Sequence, residues 1–163
     1  PLPFMPPFLK YDFGDVPALI AGFAYGPMAG ILTELIKCTV FLLSGRSEAG
    51  IIGTSANFVT GISLVIPAAL IYRRYRTLKG ATASLIVGSV VMTAVITIAD
   101  IYVFLPLWNV PVEQVMPMVK AGIIPFNLMK GLFTSVSTFL LYKRVSAWLG
   151  ADALIPSTDK VRP

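Results

Sequence analysis

The chain contains no histidine and a single cysteine, Cys38, set in an apolar segment. These absences exclude a disulfide within the chain and every histidine-based or cysteine-cluster metal site. Cys38 itself reads as a small buried apolar residue. Charge is scarce as well. Charged residues make up 13% of the chain and hydrophobic ones 56%, whereas soluble domains carry about 25% charged residues. The chain therefore lacks the polar coat that a soluble surface needs. No paired carboxylates and no nucleophile–base set stand out as the machinery of an enzyme. A P-loop is missing too: the nearest glycine spacing, Gly45 to Gly50, runs into Ile51-Ile52, so ATP hydrolysis by that device is excluded. There is no internal repeat, no low-complexity segment, no initiator methionine and no signal-peptide pattern.

What the chain does have is apolar length. Its 163 residues suit one domain, and its mean hydropathy is +0.80. Four long apolar blocks stand out. Val16 to Leu43 is interrupted by Gly26-Pro27, Glu34 and Lys37; Ala49 to Tyr72 carries no charge. Gly80 to Leu107 contains only Asp100, and Ala121 to Tyr142 only Lys130. A run of about 20 apolar residues is enough to cross a bilayer, and such lengths exceed any ordinary strand. The predicted fold class is all-α, a polytopic transmembrane helical bundle in a lipid bilayer. Ser44 to Glu48, Arg73 to Lys79 and Asn109 to Lys120 read as loops, and the polar tail from Ser146 to Pro163 as lying outside the membrane.

The net charge of +5 does not point to nucleic acid, because the basic residues lie beside the apolar spans. They act as topology signals. Arg73, Arg74, Arg76 and Lys79 form one acid-free cluster, and Lys143 and Arg144 close the last block. Two spans separate the clusters, which puts both on one side, and the positive-inside rule makes that side cytoplasmic. Asp100 and Lys130 then fall in the outer half of the membrane, with Lys130 roughly 13 Å of helix below the start of its block.

The first block allows two readings. Gly26-Pro27 is a strong breaker, and proline favours the first turn of a new helix. As one kinked helix it gives four spans and a cytoplasmic Pro1 to Asp15; as two helices with a turn it gives five and an external one. Lys10, Asp12 and Asp15 do not decide between them. Gly22, Gly26 and Gly30 form overlapping GxxxG spacings that permit close helix contact, although a tight turn would use the same glycines. Pro1 to Asp15, with four prolines, three phenylalanines and a tyrosine, is stiff, apolar and non-helical. Such a segment packs on the helices as a lid or lies in the membrane interface.

Lys130 follows Asn127 by three positions, which places both on one helix face. Charged groups inside a bilayer are costly and face a cavity, a partner or a ligand. IPFNLMKGLF is therefore the best pointer to what the chain binds, with a buried ion pair between Lys130 and Asp100 as the competing use of the lysine. Glu34 and Lys37 read as a mutually neutralising i,i+3 pair near the inner half. Asn57, polar in an uncharged span, reads as an interhelical bond ahead of a ligand contact.

FLKYDFGDVPALI at Phe8 to Ile20, GPMAGILTELIK at Gly26 to Lys37 and IPFNLMKG at Ile124 to Gly131 resemble the riboflavin-specific S components of energy-coupling-factor (ECF) vitamin transporters. The basic turn IYRRYRTLKG and the segment IYVFLP also match in order, and the resemblance runs from about Pro7 to Lys143. It implies a six-helix bundle that binds its vitamin from outside, about five helices of which are represented here. Gly26-Pro27 becomes a cytoplasmic turn. The domain would consist of an external loop over residues 1–15, membrane helices over 16–145 and a cytoplasmic tail over 146–163. The family's first helix, which contacts the coupling subunit through small residues, is expected before Pro1, so no residue of this sequence is assigned to that interface.

The implied ligand is riboflavin, an uncharged molecule with an apolar ring, an imide edge and a hydroxylated chain. Asn127 offers the donor and acceptor that an imide edge requires, and Lys130 can donate to a ring carbonyl in a dry site. Phe8, Leu9, Tyr11 and Phe104 would pack on the vitamin, Tyr11 also bonding a hydroxyl. Asp100 stands where the family often has asparagine and would accept from the flavin or pair with Lys130. Three classes of function compete: a transporter's binding subunit, a membrane enzyme and an assembly subunit whose charges only pair. The reading adopted is a non-enzymatic riboflavin-binding subunit, with no cofactor of its own. It sits in a prokaryotic plasma membrane beside a coupling membrane subunit and two ABC-type ATPases; the alternative is an S component for another vitamin or a non-catalytic membrane assembly subunit.

Overall fold

A computed structural model describes residues 13–45 and 50–148. Five helical elements account for nearly all of them. Helix α1 is Asp15–Tyr25 and α2 is Pro27–Leu43; α3 is Gly50–Arg74. Helix α4 consists of Leu78–Ala99, a π turn at Asp100–Phe104 and Leu105–Leu107. Helix α5 consists of Val112–Met118, a π turn at Val119–Ile123 and Ile124–Trp148. Three of the five, α3, α4 and α5, are long and apolar enough to cross a membrane.

Gly26 separates α1 from α2. Its φ of +100° suits a residue without Cβ, and Pro27 opens α2 at a position where no backbone N–H is needed. The two helices fold back on each other, since a Cβ on Gly30 would lie 3.0 Å from the Ala18 carbonyl oxygen and 3.3 Å from Gly22 Cα. The break is thus a hairpin turn between two helices and not a kink within one. The same glycines admit α3: that Cβ would lie 2.3 Å from Val65 Cγ1.

The bundle closes through α3 on α4, α4 on α5 and α5 on α1, with α2 outside against α1 and α3. Close approach recurs at Gly88, where a Cβ would lie 2.9 Å from the Leu64 carbonyl oxygen, and at Gly131, 2.8 Å from Ser89 Cβ. Near the Gly26 end, Phe23 stacks on Tyr72, Tyr142 meets both rings edge-on, and the two tyrosine hydroxyls hydrogen-bond at 2.8 Å. At the opposite end Leu105, Val115, Val119 and Ile123 form a second apolar cluster with Ile101, Trp108 and Val110. Large apolar side chains on α2 point outward, among them Met28, Leu32, Ile36 and Val40, as expected of a helix bathed in lipid.

One loop is much shorter than the sequence suggests. Asn109 to Lys120 was expected to be irregular, yet the helix resumes at Val112. Asn109, with φ of +54°, turns the chain, and Pro111 at the N-cap leads directly into α5. Both π turns end two residues before a proline, Phe104 before Pro106 and Ile123 before Pro125. Proline supplies no N–H to the carbonyl four residues back and crowds it. Widening the preceding turn relieves that conflict and lets the helix continue. Likewise only residues 75–77 are non-helical between α3 and α4. Thr77 caps α4 by accepting from the Gly80 N–H at 3.0 Å.

Candidate ligand site in the bundle

The centre of the bundle holds a self-neutralising cluster of charges drawn from α1, α2 and α5. Asp15, the first residue of α1, is fully buried, and Lys130 is 3% exposed. Lys130 Nζ lies 3.0 Å from Asp15 Oδ2 and donates to Asn57 Oδ1 on α3, also at 3.0 Å. The other Asp15 oxygen accepts from Lys37 Nζ on α2 at 2.5 Å, and Lys37 pairs in turn with Glu34 at 2.7 Å. Two acids and two lysines leave the cluster with no net charge. Buried charges survive only when they are paired in this way. Room for the Glu34 carboxylate is made by Gly61 on α3, where a Cβ would lie 2.3 Å from Oε2.

Asn127 sits one helical turn from Lys130 on α5 and is equally buried. Its side-chain N–H donates to the Ile123 carbonyl at 2.9 Å, which ties the amide to the residue that ends the π turn. Asn127 and Lys130 thus share one buried face, as their spacing requires.

The expected alternative pairing of Lys130 with Asp100 does not occur. Asp100 is buried in its π turn and makes no ion pair among the described residues. The reason is its height in the bundle. Gly131 lies against Ser89, and Asp100 is eleven positions further along α4, roughly 16 Å of helix away. Phe104 is buried at the other end of the same π turn. Lys130 also lies deeper than its block suggested: α5 begins at Val112, eighteen positions earlier, or roughly 27 Å along the axis. Phe8, Leu9 and Tyr11 lie outside the described residues.

Glu34 and Lys37 do form the expected i,i+3 pair, but at the level of Lys130 and Asn57, not apart from them. Asp15 carries a structural role that its sequence position alone did not reveal. A signal was available, because Asp15 and Lys37 each stand eleven residues from Gly26. A hairpin turning at Gly26 brings such positions together.

A helical bundle that holds charged and amide groups in its interior and turns many large apolar side chains toward the bilayer has the architecture expected of a membrane transport or binding subunit. The comparisons agree. The family model for the ECF transporter substrate-specific component matches residues 2–142, and the chain belongs to that family. It is 37% identical to the riboflavin transporter RibU of Staphylococcus aureus (strain TCH60), covering 91% of this chain and 81% of that protein. It is 34% identical to the riboflavin transporter FmnP of Bacillus subtilis (strain 168), covering 91% and 83%. A solved structure of the S component of a bacterial ECF transporter superposes with a TM-score of 0.79 at 41% identity, covering 91% of this chain and 84% of that one.

Proposed function

We propose that this chain is the riboflavin-binding subunit of an ECF-type uptake transporter, capturing the vitamin on the external side of a prokaryotic plasma membrane. The observation that carries the reading is the buried Asn127–Lys130 face, in a chain closely similar to two riboflavin transporters. The amide supplies the donor–acceptor pair an imide edge needs, and the ammonium supplies a donor for a ring carbonyl. A neutral cluster suits a neutral ligand, since binding then adds no uncompensated charge to a dry interior. Phe104 and the segment Phe8 to Tyr11 would cover the ring, and Asp100 would accept from the flavin.

In this reading the chain performs no chemistry of its own. Transport energy comes from a partner ECF module, a coupling membrane subunit with two ABC-type ATPases. The Gly26 turn and residues 75–77 face the cytoplasm, where Arg73, Arg74, Arg76 and Lys79 obey the positive-inside rule. Purified in detergent, the protein should quench riboflavin fluorescence saturably at one vitamin per chain. Failure to bind riboflavin, with saturable binding of a different vitamin, would transfer the chain to another S-component specificity.

A further inference from the structure

Lys130 cannot be understood as a ligand contact without what holds it. An ammonium group has three N–H donors. One is given to Asn57 Oδ1 of α3 at 3.0 Å, and Asp15 Oδ2 of α1 faces the ammonium as its counter-ion, also at 3.0 Å. A flexible four-carbon side chain held from two sides is confined in direction. Asp15 is fixed in its own right. Its carboxylate is fully buried and its second oxygen is bound by Lys37 of α2, which Glu34 also holds at 2.7 Å. Glu34 is bounded on one side by Gly61, which packs directly on its carboxylate. The chain of contacts therefore runs from Gly61 on α3, through Glu34, Lys37 and Asp15, to the lysine on α5.

We propose that Asp15 is a positioning residue of the flavin site, setting both the direction and the charge of Lys130 without itself touching the ligand. The proposal rests on the reading of Lys130 as a flavin contact. Direction matters because a hydrogen bond weakens steeply as its angle closes. Charge matters because a lone buried lysine would favour an anionic ligand, whereas a lysine neutralised by Asp15 accepts an uncharged one and still donates. Asn57 shares the directional task but carries no charge, so the two residues are not equivalent.

The test is a double-mutant cycle read by riboflavin affinity, with the infrared carbonyl stretch of bound riboflavin as a second readout. Lys130→Met should weaken binding about tenfold or more and shift the carbonyl band toward higher frequency, as loss of a donor requires. Asp15→Asn should also weaken binding about tenfold and shift the band in the same direction. In the Lys130→Met background, Asp15→Asn should cost less than about twofold and leave the band where it is, because its route to the ligand is gone. If Asp15→Asn alone does not fold, Asp15→Asn with Lys37→Met keeps acids and lysines balanced and should show the same loss. Unchanged affinity and band position in the Asp15 variants, with Lys130→Met impaired, would overturn the positioning role. So would an equal loss from Asp15→Asn with and without Lys130. Unchanged affinity in Lys130→Met would instead overturn the ligand contact on which the proposal stands.

Discussion

In the proposed site, Asn127 is a side chain already held in place before any ligand arrives. One of its N–H groups is committed to the Ile123 carbonyl, which restrains the amide plane, and the proposal assigns its carbonyl and second N–H to the imide edge. Asn127→Ala should cost about 1–3 kcal/mol of binding, a loss of about tenfold for each 1.4 kcal/mol. Fluorescence titration with riboflavin reads it directly, and full affinity would remove Asn127 from the site. That Lys130 and Asn127 share one buried face was legible in the sequence, because one cation and one amide, three positions apart, interrupt an apolar run. Asp15 was not, because its partners lie 22 and 115 positions away on other helices. Nothing local to Asp15 announces them. Gly61 was equally silent, since its value is the absence of an atom where Glu34 needs space. Gly61→Ala should lower thermal stability by about 1–3 kcal/mol, because the added methyl overlaps the buried Glu34 carboxylate and would pull it from Lys37. A melting curve in detergent that matches the parent protein would show that the carboxylate has room to shift.

Among the elements, the hairpin α1–α2 has the least helix of its own and the most demanding contacts. Helix α1 has only 11 residues, roughly 17 Å of axis. That is too short to cross a bilayer alone, so its place is secured by packing. Gly30 is where α1, α2 and α3 meet, and a Cβ there strikes both Val65 and the Ala18 carbonyl. Gly30→Ala should therefore force the hairpin away from α3, costing about 1–3 kcal/mol. Because Asp15 and Lys37 ride on that hairpin, riboflavin affinity should fall with stability. Loss of stability at unchanged affinity would show that the charge cluster is independent of the seam. The long helices were legible from hydropathy, but their ends were not. The prolines at 106, 111, 117 and 125 look like loop formers in isolation. In the structure Pro111 opens a helix, and Pro106 and Pro125 follow widened turns that absorb them.

For the whole molecule, the positive-inside rule and the Gly26 hairpin make one joint prediction about sidedness. In a Cys38→Ser background, cysteine at Val112 should react in whole cells with an impermeant thiol reagent, while cysteine at Thr77 should react only after permeabilisation. Both positions are exposed in the structure, so burial does not confuse the result, and the reverse pattern would invert the orientation. The sequence by itself determined that the chain is helical, that it resides in a membrane, and which span carries the lone lysine. These properties are local: hydropathy and charge add along the chain, and each span is recognised without reference to its neighbours. Only the tertiary structure decided that Lys130 pairs with Asp15 and Asn57, and not with Asp100. The choice depends on which helix faces meet and at what height. That is set by close approach at Gly22, Gly30, Gly61, Gly88 and Gly131, where a missing Cβ lets one backbone or carboxylate occupy space that any other residue would fill.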